Sequence, residues 1–480
     1  MRPDPHGGPR GISHLKDLLS RGELTVVDHV RSVLADIHER DTLGAYVAVA
    51  GEEALRTAEQ ADALIRERGR EAWWEQPLLG VTVSVKDLLQ TRDLPTTRGS
   101  LLPNDRPRED APAVARLRAA GAVVVGKTTT SEFGWSASTV GRVAAPTRNP
   151  YDPRLTAGGS SGGAGAAVAA GLCEGALGTD GSGSIRIPAA FCGVVGYKPS
   201  YGRVPYWPNG ADRLAHQGPL AAGVADVGLL GQVIAGPHPT DPDSGLGSLD
   251  SPRDLRALRI GWIEYEGTDD EIRRVTEQGK LALLAEGHRV EDVEVRCQNL
   301  YPAVVDILAA TEAAGTPPEI EAFCDPGRLE VVRHGRTLSG VRVIQAEEVR
   351  QNLRSTLRSV MDRYDLLAMA TVPVEPFDAD AIGPTWAADP RDLMWLSWAP
   401  ASYPYNMTGQ PAVSLPAGLT RSGLPAGLQL VGPVGADDLV LTVARRLEAL
   451  LPPMPHPPVP DLTADLTADL TPAVTGERTL

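Results

Sequence analysis

Residues 156–187 read TAGGSSGGAGAAVAAGLCEGALGTDGSGSIRI, and this stretch decides the fold. Two Gly/Ser clusters, 158–163 and 178–186, flank an Ala-rich segment, 162–171, which predicts a helix opening directly after the first cluster. Upstream, the β-branched apolar run 78–85 predicts a buried strand ending on Lys86. A serine attacks a carbonyl at neutral pH only with a base beside it and amide donors around the developing oxyanion. Two candidate serines, an inward lysine and glycine-rich backbone supply that set without histidine. Each piece alone is weak. GGSSGG also suits a flexible linker or a capping turn. It lacks the GK[ST] ending of a P-loop and the spacing of a dinucleotide fingerprint.

Outward from this stretch, helix and strand signals alternate. Residues 25–40 and 52–68 have amphipathic helical spacing, the first through Val26, Val27, Val30, Val33, Leu34 and Ile37. Segments 111–120, 269–286, 343–361 and 438–450 predict further helices. Segments 122–125, 258–263, 366–372, 411–416 and 428–431 predict strands. The alternation argues for an α/β fold with a mixed or parallel sheet. Residues 452–460 are Pro-rich and the motif DLTA then recurs, which reads as a weakly ordered tail.

Composition excludes several function classes. The 480 residues carry 46 basic and 61 acidic side chains, a formal net charge of −15, which disfavours nucleic acid as a partner. The four cysteines are scattered without a CxxC, so a reducing cytoplasm is the expected location. The amino-terminal MRPDPHGGPRGISHL lacks the apolar core of a signal peptide, and no run of about 18 apolar residues predicts a membrane span. No metal-ligand spacing is present, and no cofactor is expected.

At the level of whole motifs the chain resembles the amidase signature family. The matching text is PLLGVTVSVKDLLQTRDLPTTRGS (77–100), GAVVVGKTTTSEFGW (121–135), TRNPYDPRLTAGGSSGGAGAAVAAGL (147–172) and GALGTDGSGSIRIPAAFCGVVGYKPSYGRVPYWP (175–208). NMTGQPAVSLPAG (406–418) and GLPAGLQLVG (423–432) complete it. The match runs from about residue 10 to about 450 and is weakest between 236 and 400. The resemblance implies a central mixed β-sheet covered by helices on both faces. It divides the chain into an N-terminal helical segment (1–75), the amidase signature domain (76–452) and a tail (453–480).

The family's triad, carried over, is a base Lys86, a cis-peptide Ser160 and a nucleophile Ser184. The family spacing of the two serines is met, since 184 − 160 = 24, which selects Ser160 over Ser161 and Ser184 over Ser182. The resemblance implies an oxyanion hole from the backbone N–H groups of Gly181, Ser182, Gly183 and Ser184. Ser161, Asp180 and Arg186 are implied supports; a sharper reading lets Arg186 bind a substrate carboxylate. Ser182 departs from the usual glycine and would strain the loop if φ there were positive. Cys192 reads as a core thiol. A Ser-His-Asp arrangement through His216 has the residue types but no supporting context.

Substrate contacts are expected from 133–140, 206–207, 300–330 and 385–405, with Phe133, Trp207, Trp386, Trp395 and Trp398 as aromatic pocket candidates. The implied function is an amidase that cleaves a carboxylic amide C–N bond through a Ser acyl-enzyme, with carbamates or esters as further substrates. Alternatives are a glutaminase of the amidotransferase type, working together with partner chains, or a biosynthetic acyl transferase. A small-molecule substrate and a monomer or homodimer are expected.

Overall fold

The computed structural model describes residues 11–103, 106–207, 213–247, 249 and 257–458. One mixed sheet organises them. Its strands are β1 (Tyr46–Val49), β2 (Thr82–Lys86), β3 (Val123–Thr128), β4 (Gly175–Asp180), β5 (Val195–Lys198), β6 (His216–Ala221), β7 (Arg259–Trp262), β8 (Arg289–Asp292), β9 (Leu366–Ala370), β10 (Ala412–Leu419) and β11 (Pro425–Val431). The spatial order is β1-β3-β2-β4-β6-β5-β10-β11-β9-β7-β8. β2 lies parallel to both β3 and β4. β9, β7 and β8 form a second parallel group, while the centre, from β4 through β6, β5, β10 and β11 to β9, is antiparallel. The fold is therefore α/β with a mixed sheet.

The parallel pairs require crossovers, and helices supply them. Pro112–Ala119 joins β2 to β3, Gly162–Ala169 lies between β3 and β4, and Asp270–Ala285 joins β7 to β8. The expected helices fall close to their places, at Val26–Arg40, Gly51–Arg68, Gly340–Met361 and Asp437–Glu448. Apolar faces from Ile12, Leu15, Val26 and Val30 onward join the same buried cluster as Val83, Val85 and Val124, so the amino-terminal helices pack on the sheet. The expected DLTA tail lies outside the described residues.

Two boundaries differ from the sequence pattern for local reasons. The apolar run from Leu78 does not begin the strand. Leu79 and Val81 donate to the carbonyls of Gln76 and Leu78, a turn with Gly80 at φ +80°, so β2 starts at Thr82. Conversely, Gly178, Thr179 and Asp180 belong to β4 rather than to a loop. Glycine is needed at 178 because a Cβ there would stand 2.9 Å from Leu220 Cδ1 and 3.0 Å from Ser161 Oγ.

Candidate active site

β2 carries Lys86 into the interior, fully buried. Its Nζ lies 2.7 Å from Ser160 Oγ, 2.9 Å from Ser161 Oγ and 2.9 Å from Thr179 Oγ1. None of the three partners is a carboxylate. Burial pushes the Lys86 pKa well below its ordinary value, against a smaller upward pull from the Asp180 charge. A neutral amine has two hydrogens and one lone pair, which matches three hydroxyl partners. The Ser161 hydroxyl donates to the Thr179 carbonyl at 3.1 Å, so toward Lys86 it accepts. In its neutral form such an amine would offer its lone pair to the Ser160 hydroxyl, 2.7 Å away.

The Gly159–Ser160 peptide is cis. The glycine at 159 answers to a different neighbour: a Cβ there would sit 2.2 Å from the carbonyl carbon and oxygen of Ser138. Beyond Ser161 the chain enters a helix, Gly162–Ala169, whose eight residues are all buried. Its small residues permit close approach, since a Cβ on Gly163 would meet Ala45 O at 2.6 Å. Ser160 and Ser184 line the same cavity of about 400 Å³. The Ser184 carbonyl accepts from the Ser161 N–H at 3.2 Å, which joins the two serine loops.

The loop before Ser184 is braced by a buried ion pair. Arg186 donates to both oxygens of Asp180 at 2.9 and 3.0 Å, to Ser402 O at 2.9 Å, to Gln429 Oε1 at 2.8 Å and to Asn406 Oδ1 at 2.6 Å. Burial raises the Asp180 pKa, but the Arg186 charge overrides it and holds the carboxyl well below the usual range. Arg186 is fully buried with its donors committed, so it does not reach substrate. Asp180 also accepts from the N–H groups of Gly183 at 2.6 Å and Ile185 at 3.2 Å. The Gly183 N–H, expected among the oxyanion donors, is therefore occupied. Among the described residues no protein acceptor takes the N–H of Gly181, Ser182 or Ser184.

The glycine requirement in this loop also falls elsewhere than expected. Positive φ occurs at Gly183, +121°, where a Cβ would meet Ser402 Cβ at 2.6 Å. Ser182 is not at positive φ, so serine is unstrained there, and a Cβ on Gly181 would find open space.

The cavity wall includes Phe133, Trp135, Tyr206, Trp395 and Leu396 with Arg98, Glu312 and Arg328. Two of the five aromatic candidates, Phe133 and Trp395, are there. Trp398 is 1% exposed and stacks on Phe191 at 6.0 Å, behind the wall. Trp386 and Trp207 are 59% and 39% exposed and are not among the lining residues. Leu88 and Arg98 also line the cavity, and no periodicity or composition signal marks them. Cys192 is buried against the Ala157 carbonyl, and burial pushes its thiol up. His216 is also buried, pushed well below its ordinary pKa, and its Nδ1 donates to Leu214 O at 2.6 Å rather than to a serine. Among the described residues no cluster of His, Cys, Asp or Glu could hold a metal ion, and no helix is long and apolar enough to cross a membrane.

A family model described as Amidase matches residues 28–441. A similar curated protein is the A subunit of glutamyl-tRNA(Gln) amidotransferase from Thermus thermophilus, 36% identical over 470 residues, covering 90% of this chain and 95% of the relative. Its namesake from Archaeoglobus fulgidus is 33% identical, covering 87% and 94%. Among solved structures, a 6-aminohexanoate cyclic dimer hydrolase superposes with TM-score 0.82 at 27% identity, covering 94% of this chain and 98% of its own. A bacterial aryl acylamidase of the amidase signature enzymes superposes with TM-score 0.83 at 25% identity, covering 94% and 97%. The family model spans Lys86, Ser160 and Ser184 together, and these relatives share the mixed sheet that carries them: the chain belongs to the amidase signature family.

Proposed function

We propose that the chain cleaves amide C–N bonds through an acyl-enzyme on Ser184, with Ser160 as proton relay and Lys86 as base. The observation that carries this reading is the buried Lys86 amine, partnered by hydroxyls alone, one of which, Ser160, lines the same cavity as Ser184. Ser184 Oγ attacks the carbonyl carbon; its proton passes to Ser160 Oγ as the Ser160 proton passes to Lys86 Nζ. The tetrahedral oxyanion lies against the free N–H groups of Gly181, Ser182 and Ser184. Ser160 then gives its proton to the leaving nitrogen, the C–N bond breaks, and Lys86 reprotonates Ser160. Water repeats the sequence on the ester and frees the acid and Ser184. Apolar and aromatic walls from Phe133, Trp135, Trp395 and Leu396 suit an apolar or aromatic substrate.

The first test is Ser184→Ala. Acyl-enzyme formation, read by intact-protein mass after mixing with an aryl amide, is expected to vanish while the folded circular dichroism spectrum persists. Near-wild-type turnover in that variant would overturn the assignment.

The curated relatives favour a second reading, a glutaminase that works within a complex of partner chains, because those at 31–36% identity are amidotransferase subunits. Both readings use the same Ser184 chemistry. Glutamine hydrolysis that appears only on adding the partner chains of an amidotransferase would establish the second; turnover of simple anilides by the isolated chain would establish the first.

A further inference from the structure

Two arginines line the active-site cavity, and among the described residues only one of them has a carboxylate partner. Arg328 is buried and donates to Glu312 at 2.7 Å, with Glu132 at 3.6 Å and the Phe133 ring at 4.5 Å. Arg98 is half-buried, and among the described residues nothing accepts from its guanidinium. The carboxylates around it are already engaged. Asp87, whose carbonyl accepts the Arg98 N–H, pairs with Lys127 at 3.2 Å, and Glu132 and Glu312 face Arg328.

The backbone holds Arg98 in place at some conformational cost. Arg98 has φ +57° and Phe133 φ +50°, both in the left-handed region that non-glycine residues rarely occupy. The two are joined, the Phe133 N–H donating to the Arg98 carbonyl at 2.8 Å. Gly134 follows directly, and a Cβ there would lie 3.0 Å from Ser160 Oγ. The unpaired cation therefore sits on a segment bonded to the one that packs against the proton relay.

We propose that Arg98 is a specificity residue that selects amides bearing a carboxylate. This rests on the acyl-enzyme reading above. A guanidinium meets a planar carboxylate with two parallel N–H donors, and no described residue competes for the donors of Arg98. The role considered for Arg186 thus moves to Arg98, because Arg186 has spent its donors on Asp180 and its neighbours.

Two matched pairs of amides test this. Glutaric acid mono-4-nitroanilide and pentanoic acid 4-nitroanilide differ in a terminal carboxylate on the acyl side. 4-Acetamidobenzoate and 4-methylacetanilide differ likewise on the amine side. For at least one pair the wild-type kcat/KM ratio is expected to favour the carboxylate member by tenfold or more. Arg98→Gln is expected to lower that ratio about ten- to a hundredfold, and Arg98→Lys to restore part of it. A merely structural role would lower both members together and leave the ratio unchanged. A wild-type ratio near one for both pairs, or an unchanged ratio in Arg98→Gln, overturns the proposal.

Binding supplies a readout independent of turnover. Calorimetry of glutaric mono-anilide with Ser184→Ala and with Ser184→Ala/Arg98→Gln is expected to show at least tenfold weaker binding in the second; equal affinities overturn the proposal. Failure of the acyl-enzyme reading has a separate signature, turnover that survives in Ser184→Ala.

Discussion

Replacing Asp180 by Asn tests how the nucleophile loop is held. In the native chain the carboxylate accepts both donors of the Arg186 fork, the N–H groups of Gly183 and Ile185, and the Asn406 amide at 2.9 Å. Asn keeps the shape but offers one oxygen and adds two donors. Arg186, fully buried, would lose its only carboxylate partner among the described residues. Removing one partner of a buried pair costs about 3–5 kcal/mol, because the remaining charge stays desolvated. An orphaned backbone N–H adds about 1–3 kcal/mol. The native Asp180 pKa lies below its unfolded value, so its stabilisation is complete above pH 3.8 and is lost as pH falls through the native pKa. At pH 7 the full loss is therefore expected.

Urea unfolding at pH 7, followed by circular dichroism, measures it. The double variant Asp180→Asn/Arg186→Gln supplies the decisive comparison. With the cation gone too, the double variant is expected to lose less than the sum of the single losses. Activity gives a second sign. Because the Asp180 charge raises the Lys86 pKa, its removal should move the acid limb of kcat/KM to lower pH. Additive losses within about 0.5 kcal/mol, or an acid limb moved upward, would refute the reasoning.

Other outcomes follow from the same geometry. Activity is expected to fall on the acid side as Lys86 takes up a proton, and because burial lowers that amine the acid limb should lie well below the ordinary lysine range; a kcat/KM profile with no acid limb would contradict a neutral-lysine base. Ser182→Gly should change kcat less than about threefold, because Ser182 is unstrained, whereas Gly183→Ala should lose most activity against the 2.6 Å contact with Ser402 Cβ. Trp395→Ala should change the kcat/KM ratio between aryl and small aliphatic amides, since the indole lines the cavity; Trp386→Ala should leave that ratio unchanged.

The positions of Lys86, Ser160 and Ser184 were legible because each sits in a contiguous motif, and the strand-helix alternation around them was legible from periodicity. What a neighbour distant in sequence decides was not. The Gly183 N–H meets an Asp180 carboxylate that also takes the Asn406 amide from a distant helix and the Arg186 guanidinium, itself held by Gln429 on another strand. Trp395 and Trp398 are three residues apart, yet one lines the cavity and the other stacks behind it on Phe191. Arg98 lies inside a family motif, but nothing in TTRGS says that its guanidinium lacks a carboxylate.

The two strand-end lysines bring out the same division. Lys86 and Lys127 lie on adjacent parallel strands, paired through Val85 with Lys127 and Lys86 with Thr128, and both are fully buried. In sequence Lys86 is the one followed by an acid, Asp87, and a pairing between those two would be the natural guess. The strand ends at Lys86 and Asp87 enters a turn closed by the Leu89 N–H on the Lys86 carbonyl at 3.0 Å, and from there its carboxylate reaches Lys127, at 3.2 Å, rather than Lys86. Burial lowers the Lys127 amine to about 8 even with the Asp87 charge holding it up. Lys86, on the other face, meets only the hydroxyls of Ser160, Ser161 and Thr179 and is pushed well below its ordinary value. That turn gives Asp87 to Lys127 and leaves Lys86 with hydroxyl partners alone, the arrangement its proposed role as base requires.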